Sequence, residues 1–74
     1  MRRVFVDTGA FVALRNRRER EHAAARATLT GLMGEQAQLF TSNFVCAETY
    51  TALLVRVGRS EAIEWGRRLE SCRW

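Results

Sequence analysis

The sequence has no lysine and no proline, and Asp7 is its single aspartate among 74 residues. No apolar run approaches the roughly 20 residues that are needed to span a bilayer. The N-terminal apolar segment is interrupted by Asp7 too soon to form a signal peptide, which needs a longer apolar stretch. We therefore expect a cytoplasmic protein that has no contact with a membrane.

Cysteine and histidine are also scarce. Cys46 and Cys72 lie far apart and form no Cys-x-x-Cys motif or Cys/His cluster, so the spacing does not support a zinc site. In the cytoplasm both should be reduced thiols that pack as small apolar groups. His22 has no ligand partner three or four residues further on, and we interpret it as structural.

The positive charge comes from arginine alone. All twelve basic residues are arginines, against eight acidic residues, which gives a net charge of +4 and a pI near 10.5. This balance favours a polyanionic partner, and arginine binds phosphate more specifically than lysine does. A GC-rich genome also explains the absence of lysine, so composition indicates nucleic-acid binding only weakly.

The apolar pattern predicts an α/β fold. The predicted order is strand, helix, helix, strand, helix, helix, with strands at 3–6 and 39–41 and helices at 11–14, 19–33, 44–57 and 60–72. Strands that alternate with helices are typical of a parallel sheet with a right-handed crossover. Because two strands are too few for an independent sheet, we expect residues 1–74 to be the N-terminal part of a single domain, with no second domain.

Asp7 directly follows the first predicted strand, whose residues Val4, Phe5 and Val6 form a continuous apolar run. Thr8 is small and allows the backbone to turn. The carboxyl ends of the strands are where ligands and metals bind in open α/β sheets. The sequence therefore predicts a functional carboxylate at this edge, although Asp7 alone could simply cap the helix that follows.

Glu48 is the second candidate carboxylate. On a helical wheel it lies between Phe44 and Val55, whereas Thr49 and Arg56 form the polar sector. We therefore expect Glu48 to point toward the interior or a cleft, near the edge where Asp7 lies. Two carboxylates aimed at one place suit a hard cation such as Mg²⁺ or Mn²⁺.

Glu48 also has a structural alternative, an ion pair with Arg15 or Arg56. The charged stretch that contains Arg15, Arg17 and Arg18 is either a solvated face or a contact for RNA phosphates. The aromatic residues Tyr50, Trp65 and Trp74 are better interpreted as core residues than as platforms for stacked bases.

Two segments resemble the sequence motifs of PIN domains. Val-Phe-Val-Asp-Thr-Gly-Ala-Phe-Val-Ala-Leu resembles the first motif, and Leu-Phe-Thr-Ser-Asn-Phe-Val-Cys-Ala-Glu-Thr-Tyr-Thr-Ala-Leu resembles the second. The spacing between them fits as well, and within the family the sequence resembles the VapC-like toxins of bacterial toxin–antitoxin pairs. The match extends along the whole chain.

The resemblance implies a PIN-like parallel sheet flanked by helices, with the first two strands and about four helices present here. It implies a Mg²⁺- or Mn²⁺-dependent ribonuclease whose metal is held by Asp7 and Glu48. The implied partners are RNA, a cognate antitoxin protein and further copies of the chain. In the family, additional aspartates come from the second half of the domain, and this sequence does not contain them.

The sequence leaves two other functions as alternatives. A catalytically incomplete PIN fragment would only bind RNA or an antitoxin. The segment Asp-Thr-Gly-Ala also resembles the catalytic loop of retroviral-type aspartic proteases, but that fold is all-β, and the helical patterns at 19–33 and 43–72 disfavour it.

The isolated front half of a domain should expose apolar surface. The residues expected to form this patch are Leu53, Leu54, Val57, Trp65 and Leu69. Large exposed apolar patches mark interfaces or sites of aggregation. We therefore expect the chain to self-associate or to need a partner.

Overall fold

A computed structural model describes residues 2–70, apart from the side chain of Glu70. Its elements are β1 (Arg3–Phe5), α1 (Thr8–Arg15), α2 (His22–Gly34), β2 (Gln38–Phe40), α3 (Asn43–Arg56) and α4 (Arg59–Glu70). The predicted order and the α/β class are confirmed, and the helices rule out an all-β protease fold. No helix in this range is long and apolar enough to cross a membrane. The predictions for Cys72 and Trp74 lie outside the described residues.

The two strands pair in parallel, with Val4 opposite Leu39. Beyond the paired residues, the Val6 amide donates to the Phe40 carbonyl at 2.8 Å. The Thr41 hydroxyl donates to the Val6 carbonyl at 2.7 Å. These two hydrogen bonds join the carboxyl ends of both strands, so the segments that follow β1 and β2 begin side by side at one edge.

The helix boundaries follow local capping chemistry. Helix α1 begins three residues earlier than predicted, at Thr8, because Asp7 caps it. Ser42 caps α3 by accepting a hydrogen bond from the Val45 amide at 3.2 Å. Gly34 is the last residue of α2, and Gln36, two residues further on, adopts a positive φ of 57°.

The core lies between α1, α3 and α4. It is formed by Val6, Phe11, Val12, Val45, Leu53, Ala62 and Trp65. The rings of Phe11 and Trp65 meet edge to face with their centroids 5.2 Å apart, an arrangement that aromatic pairs prefer. Trp65 is therefore a core residue, as expected.

The predicted exposed patch is wrong for Leu53 and Trp65, and Leu69 is half-buried against the core. Leu53 is fully buried because α3 packs against α1 and α4, and Trp65 is only 5% exposed because its ring packs against Phe11. Leu54 and Val57 do remain exposed, at 40% and 41%. The described chain thus builds its own small core and still leaves apolar side chains in contact with water.

Helix α3 is turned differently from the prediction. Its buried face is Val45, Thr49 and Leu53, which are spaced four residues apart and face the neighbouring helices. Phe44 and Val55, which were expected to enclose Glu48, are 72% and 80% exposed. Apolar residues occur on every side of α3, so periodicity alone cannot select the face that packs.

Candidate active site at the carboxyl edge of the sheet

Asp7 lies between β1 and α1 and is exposed. Its backbone is extended, with φ −100° and ψ 179°, and its Oδ1 accepts a hydrogen bond from the Ala10 amide at 3.2 Å. The residue therefore does cap the helix. The positive end of the helix dipole favours a carboxylate at this position, so capping and a functional role are compatible.

Glu48 lies in α3 and reaches the same edge. The Thr8 hydroxyl donates a hydrogen bond to Glu48 Oε1 at 2.5 Å. Because Thr8 directly follows Asp7 in the chain, this contact places the Glu48 carboxylate at the same edge of the sheet as Asp7. Of the two expected surroundings of Glu48, the interior is wrong, since its side chain is exposed on the surface of α3, but the residue does line an open cleft beside Ala47 and Thr51.

Neither carboxylate is neutralised by an arginine. The ion pairs of the described residues are Arg2–Glu35, Arg15–Glu61, Arg56–Glu19 and Arg68–Glu64. The alternative in which Glu48 pairs with Arg15 or Arg56 is therefore not realised, because both arginines have other partners. In a chain so rich in arginine, these two exposed carboxylates are left without an ion pair among the described residues.

The donor set suits a hard divalent cation. Carboxylate oxygens are the ligands that Mg²⁺ prefers, and Mg²⁺ sites commonly use one or two carboxylates and several waters. Asp7 and Glu48 meet that requirement. Within the range that the structure describes, no group of three or more His, Cys, Asp or Glu residues could hold a metal ion, so these two side chains would form only part of a coordination shell.

The three candidate arginines lie at the opposite end of α1. Arg15, Arg17 and Arg18 line a cleft of about 440 Å³ together with Arg56. Since α1 has 8 residues, this cleft lies one helix length, roughly 12 Å, from Asp7. The structure therefore does not place these arginines at the edge of the sheet where Asp7 and Glu48 lie.

These arginines differ in their availability. Arg15 Nε is 2.7 Å from Glu61 Oε1 but is not aligned for a hydrogen bond, and the guanidinium is largely covered. Arg17 and Arg18 are exposed and take part in none of the ion pairs described above. Of these three candidate arginines, Arg17 and Arg18 are therefore the two that are open to a phosphate.

His22 has a structural contact. Its Nδ1 lies 2.7 Å from the Ala13 carbonyl oxygen. Because a carbonyl can only accept, Nδ1 carries the proton and donates it. The bond ties the start of α2 to α1, in agreement with the structural interpretation of this residue.

Sequence reasoning missed two threonines. Thr8 was treated as a small turn residue, although its position next to Asp7 and its hydroxyl group were available as signals. Thr49 was placed in the polar sector of α3, but it is fully buried and its Oγ1 has no hydrogen-bond partner among the described residues. No local pattern identifies a buried threonine that lacks a partner.

A family model described as PIN domain matches residues 4–72. The match includes both carboxylates and extends from β1 through the described part of α4. No curated protein and no solved structure shows significant similarity to the chain.

Proposed function

This chain belongs to the PIN-domain family, and from that premise we propose that it acts as a metal-dependent ribonuclease of the VapC-like toxin type. PIN domains are in general nucleases that use divalent metals. The proposal adds the RNA substrate, the toxin role, and Asp7 and Glu48 as the metal-holding residues. It also treats residues 1–74 as the N-terminal part of one such domain.

One observation supports the site above all others: the hydrogen bond from Thr8 to Glu48, which joins the two elements that carry the carboxylates. Two carboxylates that approach each other at one edge of the sheet would repel each other, and a cation between them would remove that repulsion. No arginine of the described chain fills that place. A divalent cation would compensate both charges.

In the proposed mechanism, Asp7 and Glu48 would hold the ion at the carboxyl edge of the sheet. The chemistry that a bound Mg²⁺ or Mn²⁺ supplies is activation of a water molecule and stabilisation of charge on the phosphate under attack. Arg17 and Arg18 bind backbone phosphates of the RNA away from the cleaved bond, since guanidinium groups match phosphate geometry.

The proposal includes protein partners. Phe44 and Val55 are strongly exposed on α3, and Phe5 and Phe40 form an exposed aromatic pair on one face of the sheet, with ring centroids 5.4 Å apart. Such surfaces favour burial against another protein segment. The rest of the PIN domain, a cognate antitoxin and a second copy of the chain are the partners we propose.

A specific finding also favours the second candidate, a PIN fragment that binds RNA or an antitoxin without cleaving RNA. Among residues 2–69, no group of three or more His, Cys, Asp or Glu side chains could hold a metal ion, so the proposed centre has Asp7 and Glu48 alone. If further ligands are required, this chain would bind RNA but leave it intact. A cleavage assay run beside a binding assay separates the two functions.

The test uses the protein, a fluorescently labelled RNA and Mg²⁺ or Mn²⁺. We expect cleavage that EDTA abolishes and that Asp7→Asn removes almost completely, because the amide lacks the charge that holds the metal. Glu21→Gln is the matched control, since Glu21 is another exposed carboxylate without an ion pair in the described structure. Full cleavage by a folded Asp7→Asn variant would refute the proposal, and binding without cleavage would favour the second candidate.

A further inference from the structure

We propose that Thr8 is a positioning residue, whose hydroxyl holds the Glu48 carboxylate in place at the carboxyl edge of the sheet, where Asp7 also lies, before a metal ion or RNA arrives. This inference rests on the proposed function, because it concerns the same two carboxylates. It adds a residue that does not itself bind the ion. Its basis is the 2.5 Å hydrogen bond between Thr8 and Glu48, which are 40 positions apart in the sequence.

The donor is held rigidly. Thr8 is the first residue of α1, and the turn that contains it is fixed by the hydrogen bond from the Ala10 amide to Asp7. A β-branched side chain has few χ1 rotamers. Thr8 is also half-buried. The backbone conformation at the start of α1 therefore sets the direction of its hydroxyl group.

Glu48, the acceptor of this hydrogen bond, by contrast requires a contact that fixes its side-chain conformation. Glu48 is exposed and takes part in no ion pair of the described chain. A free glutamate at such a site would sample several rotamers in water, and repulsion from Asp7 would favour those that point away. A hydrogen bond to an ionised oxygen is short and about twice as strong as a neutral one, and the Thr8 bond has that length.

The pattern of occupied oxygens is consistent with this role. Asp7 uses Oδ1 to cap α1, and Glu48 uses Oε1 to accept from Thr8. The described hydrogen bonds involve neither Oδ2 of Asp7 nor Oε2 of Glu48. Each carboxylate is thus fixed through one oxygen and leaves the other for a ligand, as expected of metal ligands that are oriented by neighbouring groups.

The experiment compares three substitutions in the metal-free protein and in titrations with Mn²⁺ alone, without RNA. Thr8→Val keeps the side-chain shape and removes the donor, whereas Thr8→Ser keeps the donor. Thr51→Val makes the same chemical change at an exposed α3 position whose hydroxyl bonds only to the Ala47 carbonyl. We expect Thr8→Val to weaken Mn²⁺ binding on the order of 10-fold, with Thr8→Ser and Thr51→Val close to the unaltered protein.

A second readout does not depend on metal. NMR relaxation of the Glu48 side chain should show one ordered rotamer in the unaltered protein and in Thr8→Ser, and averaging in Thr8→Val. If Thr8→Val fails to fold, Thr8→Ala provides the same loss of the donor for both measurements. A double-mutant cycle should also show that Thr8→Val has no further effect on Mn²⁺ binding once Glu48 is replaced by glutamine.

The outcomes separate the two proposals. If Thr8→Val leaves both Mn²⁺ affinity and Glu48 order unchanged while Glu48→Gln weakens binding, the positioning role is wrong and the metal site stands. Equal losses of Mn²⁺ affinity in Thr8→Val and Thr8→Ser would also refute the positioning role, because the hydroxyl would then be irrelevant. If neither Asp7→Asn nor Glu48→Gln weakens binding, the proposed function fails, and Glu48 order alone decides the role of Thr8.

Discussion

Thr49 and Leu53 lie one turn apart on α3, and both side chains are fully buried, yet the Thr49 hydroxyl has no hydrogen-bond partner among the described residues. A buried hydroxyl without a partner costs about 1–3 kcal/mol relative to its hydration in water. A substitution at Thr49 that removes this hydroxyl can therefore raise the stability of the fold.

Replacing Thr49 by valine should stabilise the chain. Valine has nearly the same shape and the same β-branching, so packing and helix propensity change little, while the unpaired hydroxyl is removed. We expect the free energy of unfolding to rise by about 1 kcal/mol, measured by urea denaturation followed by circular dichroism.

Thr51→Val is the control for this prediction, because Thr51 is exposed on the same helix and its hydroxyl is already bonded to Ala47. That substitution should leave stability within about 0.5 kcal/mol of the starting value. A decrease in stability for Thr49→Val would mean that its hydroxyl has a bonding partner in solution.

The second prediction concerns Glu48. Because its side chain is exposed, replacing it by glutamine should change the metal-free stability by no more than about 0.5 kcal/mol. The loss of repulsion from Asp7 and the weaker hydrogen bond from Thr8 act in opposite directions. Thermal unfolding without Mn²⁺ measures the metal-free stability, and thermal unfolding with Mn²⁺ measures stabilisation by the ion. Only the unaltered protein should be stabilised by Mn²⁺.

A large metal-free change would contradict the exposed position of Glu48. A melting temperature that rises strongly would indicate a desolvated carboxylate, as the helical wheel had suggested. A strong decrease would indicate a structural ion pair that the described contacts do not contain.

The third prediction concerns the exposed arginines. Replacing Arg17 and Arg18 together by alanine should weaken RNA binding and reduce its dependence on salt, by roughly 0.7 in the logarithmic slope for each lost contact to single-stranded RNA. Fluorescence anisotropy over a series of salt concentrations gives both quantities. Melting temperature should stay close to that of the unaltered protein, since neither side chain forms an ion pair in the described structure.

The matched control removes the same charge elsewhere. Arg26 is exposed on α2 and takes part in none of the described ion pairs. Arg26→Ala should therefore leave the salt slope nearly unchanged. If the Arg26 substitution and a single substitution at Arg17 weaken RNA binding equally, net charge determines RNA binding, and the cleft at the end of α1 does not.

The fourth prediction concerns self-association. Val55 is 80% exposed and Phe44 is 72% exposed on the same helix. Val55→Glu should shift the chain toward the monomer in size-exclusion chromatography with light scattering, without loss of helical signal. Glu21→Gln is a suitable control for a change outside this surface. If Val55→Glu leaves the oligomeric state of an associating protein unchanged, α3 is not the contact surface.

Asp7 shows what the sequence alone could predict. A continuous apolar run followed by an acid and small residues locates a carboxylate at a strand end, because these signals are local. Glu48 was also assigned to the helix that starts at this edge. Its exposure was not predictable, since Phe44, Val55 and Leu53 offer apolar residues on every side and only packing against α1 and α4 selects the buried face.

The contact of Thr8 with Glu48 could not be predicted from the sequence either. It joins side chains that are 40 positions apart, and it depends on how α1 and α3 lie against each other. The burial of Thr49 arises in the same way. Local patterns can identify the elements and their ends, but a pairing of two helix surfaces is decided by the three-dimensional packing of both.

The most direct test of the central claim is a crystal structure of the protein grown with Mn²⁺, with anomalous diffraction recorded to locate the ion. We expect an anomalous peak bonded to one oxygen of Asp7 and one oxygen of Glu48, with the Thr8 hydroxyl still donating to Glu48. A map with no peak at this edge, or a peak held by other side chains while Asp7 and Glu48 face solvent, would contradict it.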